Sequence, residues 1–254
     1  MRAFIKKEWL ENIRTGRAVS LVIVFILFGI MSPAFAKLTP WMMNMFAGSL
    51  EESGLTVTVV TVDALTSWTQ FYKNFPLALI IFILLCSSSF TGEYQKGTLV
   101  PIITKGLPLY KVMLAKSIML FLLWSVCYAL CFGITLAYTA YFWDNRAMSH
   151  LGSAALYCWI FGILVLALMI FFSCIARTGT QVLLFTGGSI VLFYALGMIP
   201  RISDYMPTRL MDGLPLLQSI SAPSDYTAAI ICACVLAVLC IVAAIPCIER
   251  QAAA

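Results

Sequence analysis

Charge is the scarcest property of this chain. Asp, Glu, Lys and Arg make up 11% of its 254 residues, whereas 62% are hydrophobic and the mean hydropathy is +0.97. Soluble domains carry roughly a quarter charged residues, so this balance excludes a soluble globular domain and places the chain in a bilayer.

Further absences narrow the function. No Gly-Lys dipeptide occurs, so the phosphate-cradling G-x-x-x-x-G-K-[ST] loop is missing and ATP hydrolysis, if it powers this protein, belongs to a partner. His150 is the single histidine, which removes a His-built metal site and leaves a solvated loop residue as its expected role. The nine cysteines form no CxxC pair and fall in apolar stretches, where they read as small polarizable packing residues. The apolar stretches contain no Ser/His set, paired Asp or metal-ligand cluster, so no catalytic residue, metal or bound cofactor is expected. They also lack a central acidic or basic residue, which disfavours a proton-coupled carrier, since such carriers keep costly intramembrane charges for their function. Sodium sites built from carbonyls and hydroxyls stay open.

What is present is a punctuated series of six apolar windows, giving spans at about 18–36, 74–92, 114–142, 151–176, 179–200 and 226–248. Each can hold the roughly 20 apolar residues that cross a hydrocarbon core of about 30 Å. They are nearly continuously apolar and so read as helices rather than as alternating barrel strands. The expected fold is all-α: a polytopic membrane protein with six transmembrane helices in one domain, 1–254.

Lys and Arg set the orientation. With the N-terminus inside, eleven fall on the cytoplasmic side and five (Lys37, Lys73, Arg146, Arg201, Arg209) outside, which puts both termini in the cytoplasm. The formal charge of +5 thus reflects topology, and no nucleic-acid partner is expected because the basic residues form no stripe with stacking aromatics. Residues 1–17 predict an interfacial helix with Ile5, Trp9 and Ile13 on one face and Lys6, Lys7, Glu11 and Arg14 toward water. Ala34-Phe35-Ala36 fits a signal-peptidase pattern, but the long leading segment with Glu8, Trp9 and Glu11 favours a retained first span.

The outer segment 37–73 is long enough to hold structure of its own, with Leu55–Val62 rich in Thr and Val, and its Trp41, Trp68, Phe71 and Tyr72 suit an interfacial aromatic belt. Segment 201–225, with Pro207, Pro215 and Pro223 among leucines, fits either a partial re-entry into the membrane or a surface loop with one short amphipathic helix. Ala129, Gly133 and Ala137, and again Ala229, Ala233 and Ala237, form small-xxx-small series that predict close helix contacts.

Between the second and third spans lies a polar island, Glu93-Tyr94-Gln95-Lys96-Gly97-Thr98-Leu99, followed by Lys105-Gly106 and Lys111. Glu93 and Lys96 can make polar contacts with a soluble partner, Gly97 permits a sharp backbone change, and Leu99, Ile102 and Ile103 can fill an apolar cleft. Glu93 to Leu99 followed by Lys105-Gly106-Leu107 and Lys116, together with the start Phe4-Ile5-Lys6-Lys7-Glu8-Trp9 and Ser67-Trp68-Thr69-Gln70-Phe71-Tyr72-Lys73-Asn74, form an ordered set that resembles ABC-2 type permeases, the transmembrane subunits of bacterial ABC transporters.

The resemblance implies a six-helix permease subunit in the bacterial cytoplasmic membrane. It pairs with an identical or related permease and binds two cytoplasmic ATPase subunits that carry ATP and Mg. It also implies that 93–110 is the coupling segment, with Glu93, Lys96, Gly97, Thr98, Leu99, Ile102 and Ile103 at the ATPase interface. Substrate is expected to meet the second span at Ser87, Ser88 and Ser89 and the fifth at Thr186, Ser189 and Tyr194, although Ser and Thr also satisfy themselves on helix backbone. Export is the implied direction. The competing class is a membrane scaffold or signalling subunit that relays envelope stress to a cytoplasmic partner without moving solute.

Overall fold

The computed structural model describes residues 2–52, 62–95, 109–143, 145 and 148–253. In chain order they form α1 (Arg2–Arg14), α2 (Arg17–Glu52), α3 (Ala64–Cys86), α4 (Ser88–Gln95), α5 (Leu109–Phe142), α6 (Leu151–Ser173), α7 (Gly179–Gly197), the short α8 (Leu214–Leu217) and α9 (Thr227–Ala253). Six of these segments are long and apolar enough to cross a membrane, and no strand occurs among the described residues. The Thr/Val-rich stretch lies outside the described residues apart from Val62.

The helices assemble as two groups. α2, α3 and α5 pack together with α1 against α2 and α5, while α6 packs against α7 and α9, and α5 meets α6 to join them. α6 is apolar all round and buried on most of its surface, including the run Leu164 to Ile170, as expected of a helix at the centre of a bundle. α7 lies at the periphery, with only Val182 and Thr186 buried.

The second span's helix begins at Ala64, ten residues before the charge-free window opens at 74. Asp63 caps it, accepting hydrogen bonds from the Thr66 backbone N–H and hydroxyl at 3.0 Å each, so the chain is helical well before Lys73, which sits on the exposed face. One consequence is a correction: Trp68, Phe71 and Tyr72 are core residues rather than belt anchors. They belong to a buried stripe, Ala64, Ser67, Trp68, Phe71, Tyr72, Phe75, Ala78, Leu79, Phe82, with the i, i+3, i+4 spacing of one helix face. Trp41 is largely exposed.

That stripe feeds an aromatic column. Trp124 of α5 lies 5.3 Å from Phe82, 5.9 Å from Phe25 and 6.0 Å from Phe75 between ring centroids, and Tyr128 and Phe132 carry the stack on to Phe71 and Trp68. The Trp124 indole rests directly on Gly162 of α6, where a Cβ has no room. Its N–H donates to the Trp159 carbonyl at 3.4 Å. Leu21 and Phe25 of α2 are fully buried here, so Ala34-Phe35-Ala36 lies within a continuous helix whose upstream residues build the core.

Proline in α2 explains a second contact. Pro33 has no N–H to give the Gly29 carbonyl, and a carbonyl left unpaired in lipid is costly. The Thr135 hydroxyl of α5 reaches that oxygen at 3.0 Å, and Gly29 allows the approach, since a side chain there would meet the Cys131 carbonyl oxygen at 2.9 Å.

The small-residue series divide. Ala229 and Ala233 are fully buried and Ala237 nearly so, on the helix that packs along α6. Ala129, Gly133 and Ala137 are exposed, and Gly133 has open space around it, so the close contact expected there is not made among the described residues. All nine cysteines are free thiols, five of them buried.

The segment from Met198 to Tyr226 forms tight turns at Ser203–Tyr205, Pro207–Met211 and Pro223–Tyr226 and folds onto α3, α6 and α9. Side chains satisfy its carbonyls: Tyr157 donates to Pro223 at 3.2 Å, Tyr226 to Asp212 at 3.0 Å and the Cys158 thiol to Leu210 at 3.6 Å. Leu210, Leu216 and Leu217 are buried, so this is a packed cap rather than a surface loop.

Thr135→Val removes the donor to Gly29 at nearly constant volume. Stability in detergent is expected to fall by about 1–2 kcal/mol, the cost of one unpaired buried carbonyl. Thr39→Val, whose hydroxyl bonds within its own helix on an exposed face, is expected to change the same unfolding midpoint far less.

Candidate functional site

At the end of the bundle that carries α1 and α4, a polar junction joins three elements distant in sequence. The Lys116 ammonium of α5 donates to Glu8 Oε2 of α1 at 3.0 Å and to the Ser89 carbonyl of α4 at 3.3 Å. Both charged side chains are only 3% exposed. Beside them, the Arg17 guanidinium at the start of α2 donates to the Ser89 hydroxyl at 3.2 Å, and Asn12 donates to the Glu8 carbonyl at 2.9 Å. Lys7 stands 3.9 Å from the other Glu8 carboxylate oxygen.

α1 explains how a carboxylate comes to be buried. Its apolar residues Trp9 and Ile13 face outward and are about half exposed, Lys7, Glu11 and Arg14 are exposed on another side, and Glu8 and Asn12, one turn apart, form a third face against α5. The expected two-sided helix is therefore three-sided. Gly16, with φ +71°, makes the turn from α1 into α2. Lys116 enters at the second turn of α5, where its ammonium lies level with α4.

Ser87 marks the break between α3 and α4. Its side chain is buried and donates to the Leu84 carbonyl at 3.1 Å. α4 then passes the start of α7, where a Cβ on Gly179 would stand 3.5 Å from Ser88 Cα. Thr178 caps α7 by accepting from the Gln181 N–H at 3.3 Å, which holds the start of α7 in place beside α4.

Of the interface residues read from the sequence, Glu93 falls within α4, while Lys96, Gly97, Thr98, Leu99, Ile102 and Ile103 lie outside the described residues. The six substrate-path candidates do not form one site. Ser89 belongs to the ionic junction, with Ser87 and Ser88 beside it. Thr186 is fully buried in mid α7, its hydroxyl without a hydrogen-bond partner among the described residues, and Ser189 bonds to its own helix at the Phe185 carbonyl, 2.8 Å away.

Tyr194 lies eight residues beyond Thr186, about 12 Å along the helix, at the opposite end of the bundle. There it lines two adjoining cavities, of about 490 and 220 Å³, that share Thr208 and Asp212 in their walls. Its hydroxyl donates to Met211 Sδ at 3.4 Å. Lys73 and Tyr72 line the smaller cavity; Arg209, paired with Asp204 and stacked 5.0 Å over Tyr226, lines the larger.

Glu8 and Lys116 belong to the residues that carry the family resemblance and Arg17 to the cytoplasmic charges, but their contact with one another and with Asn12 and Ser89 was not expected from the sequence. The available signal was the i, i+4 pair Glu8 and Asn12, which falls between the apolar and basic faces of α1.

The junction makes a quantitative prediction. Lys116→Met leaves the Glu8 carboxylate buried without its ammonium and is expected to cost about 3–5 kcal/mol, whereas Glu8→Leu combined with Lys116→Met is expected to recover most of that loss. Unfolding midpoints of the purified single and double variants in detergent check this, and equal midpoints would show that the two residues are not coupled.

A family model described as ABC-2 family transporter protein matches residues 2–230. No curated protein and no solved structure matches the chain.

Proposed function

The chain belongs to the ABC-2 family of transporter proteins, and from that premise we propose that it is an exporter permease driven through its 93–110 segment by two cytoplasmic ATPase subunits. As a family member it is a multi-pass membrane component of an ABC transporter, associated with ABC ATPases and non-catalytic itself. The finer reading puts both termini in the bacterial cytoplasm, pairs the chain with an identical or related permease, and leaves ATP and Mg to the ATPases.

The observation that carries the coupling reading is the Lys116 ammonium, held at once by Glu8 of α1 and by the Ser89 carbonyl, four residues before Glu93. A push on 93–110 enters α4, and at Ser89 it meets a buried charge fixed to a spanning helix and to α1. Separating these groups would break a buried ion pair and its hydrogen bond to the Ser89 carbonyl, a costly step, so the three elements move together. Closure of the ATPase dimer then tilts α5 and α2 as a unit and shifts the bundle toward an outward-open population. On this reading Tyr194, with the cavities around Asp212, lies on the outer side of the path, and Ser87, Ser88, Ser89, Thr186 and Ser189 mark its inner course.

The experiment is purification of the chain from its native host in mild detergent, with mass spectrometry of the bound subunits and an ATPase assay. Co-purification of a Walker-containing ATPase is the expected result. Glu93→Ala combined with Gly97→Pro is expected to detach that ATPase or uncouple its hydrolysis from transport while the membrane domain stays folded. Recovery without any ATPase, under conditions that preserve a known ABC complex, would replace transport by the scaffold or signalling role. A double variant with normal ATPase retention and activity would remove the coupling assignment.

A further inference from the structure

A groove of about 280 Å³ opens sideways between α1, α2 and α5, and its lining is apolar throughout: Trp9 and Ile13 from α1, Val19 and Ile23 from α2, Leu122 and Val126 from α5 are among its walls. Its α5 wall runs from Leu122 to Val126, six to ten residues beyond Lys116, or about 9–15 Å along α5 from the ionic junction. A helix is about 10 Å across and is too wide for a slot of this volume, whereas a single hydrocarbon chain fits it.

The mouth of the groove lies at the turn between α1 and α2. Arg14 follows the lining residue Ile13 at the end of α1, is exposed and makes no ion pair among the described residues, while Arg17, next to the lining residue Ala18, donates to the Ser89 hydroxyl. The nearby acids are engaged: Glu8 is held by Lys116, and Glu11 stands 3.7 Å from Lys7. An apolar slot of chain width beneath an excess of positive charge has the complement of an anionic amphiphile.

We propose that this groove is a binding site for an anionic glycerophospholipid of the leaflet on the α1 side, with one acyl chain between α1 and α5 and the phosphate at Arg14. The bound lipid fills the space behind the Glu8–Lys116 pair and pins α1 to α2 and α5. The site depends on the chain's membrane fold and not on the transport reading.

The test is native mass spectrometry of the full chain, titrated with phosphatidylglycerol or phosphatidylcholine of identical acyl chains. Wild type is expected to retain the first phosphatidylglycerol at least fivefold better than phosphatidylcholine. Val126→Trp, which fills the groove, is expected to abolish that retention, and Arg14→Gln is expected to reduce phosphatidylglycerol to the phosphatidylcholine level. Val19→Trp closes the same slot from α2 should the α5 variant fail to fold. Equal retention of the two lipids by wild type would overturn the headgroup assignment. A phosphatidylglycerol preference that survives Arg14→Gln, or that survives a folded groove-filling variant, would overturn the site.

Discussion

One buried ammonium organises the end of the bundle where α1, α4 and α5 meet. Lys116 is almost fully buried, and Glu8 and the Ser89 carbonyl within hydrogen-bond distance offset the cost of its charge there. The pair therefore acts as a constraint more than as a source of stability: a well-packed apolar replacement would serve stability as well. What the ions supply is registry. Glu8 sets how α1 lies against α5, the Ser89 carbonyl sets where α4 leaves α3, and Arg17 ties the start of α2 to the same serine. Four elements share one reference point, and a displacement of any of them is felt by the other three.

The rest of the bundle obeys the parallel rule for backbone groups. In lipid a carbonyl without a partner has no water to fall back on, so each irregularity must be matched by a donor from a neighbouring element. Pro33 frees the Gly29 carbonyl and Thr135 takes it; the turns between α7 and α9 present carbonyls at Leu210, Asp212 and Pro223, and Cys158, Tyr226 and Tyr157 meet them. The polar residues of the spans are thus spent largely on the protein's own backbone. Thr186 and Tyr72 depart from that pattern among the described residues, each with a buried hydroxyl without a hydrogen-bond partner, as does the Asn74 amide nitrogen.

The number and nature of the spans were legible because charge interrupts them, and charge is expensive in a bilayer core. The start of the second span was not, because Lys73 reads as a boundary although an ammonium on an exposed helix face interrupts nothing. The stripe from Ala64 to Phe82 and the cap at Asp63 were the better signals. Ser89 was legible as a polar residue at the right end of the second span, but not its role, because its partners lie on other elements. Glu8 and Lys116 are 108 residues apart, and each looks locally like an ordinary member of a charged helix face. Long-range ion pairs leave no trace in periodicity, and a single sequence carries no covariation to reveal them.

The placement of the junction decides what kind of device the end of the bundle can be. A hinge would need a weak, hydrated connection between α3 and α4. Instead the Ser87 hydroxyl is consumed on the Leu84 carbonyl, and the next turn is clamped through Ser89 to two spans and to α1. Ser87 keeps helical backbone angles and donates its own N–H to the Ile83 carbonyl, so the chain passes from α3 into α4 without slack. On the coupling reading proposed above, a push entering at Glu93 would arrive at the spans as displacement rather than being absorbed in a bend. Because α4 also packs against α7, the same push reaches both helix groups of the bundle, the one built on α5 and the one built on α6. A segment connected in this way cannot move alone, which is the mechanical property a coupling element requires and a passive surface loop lacks.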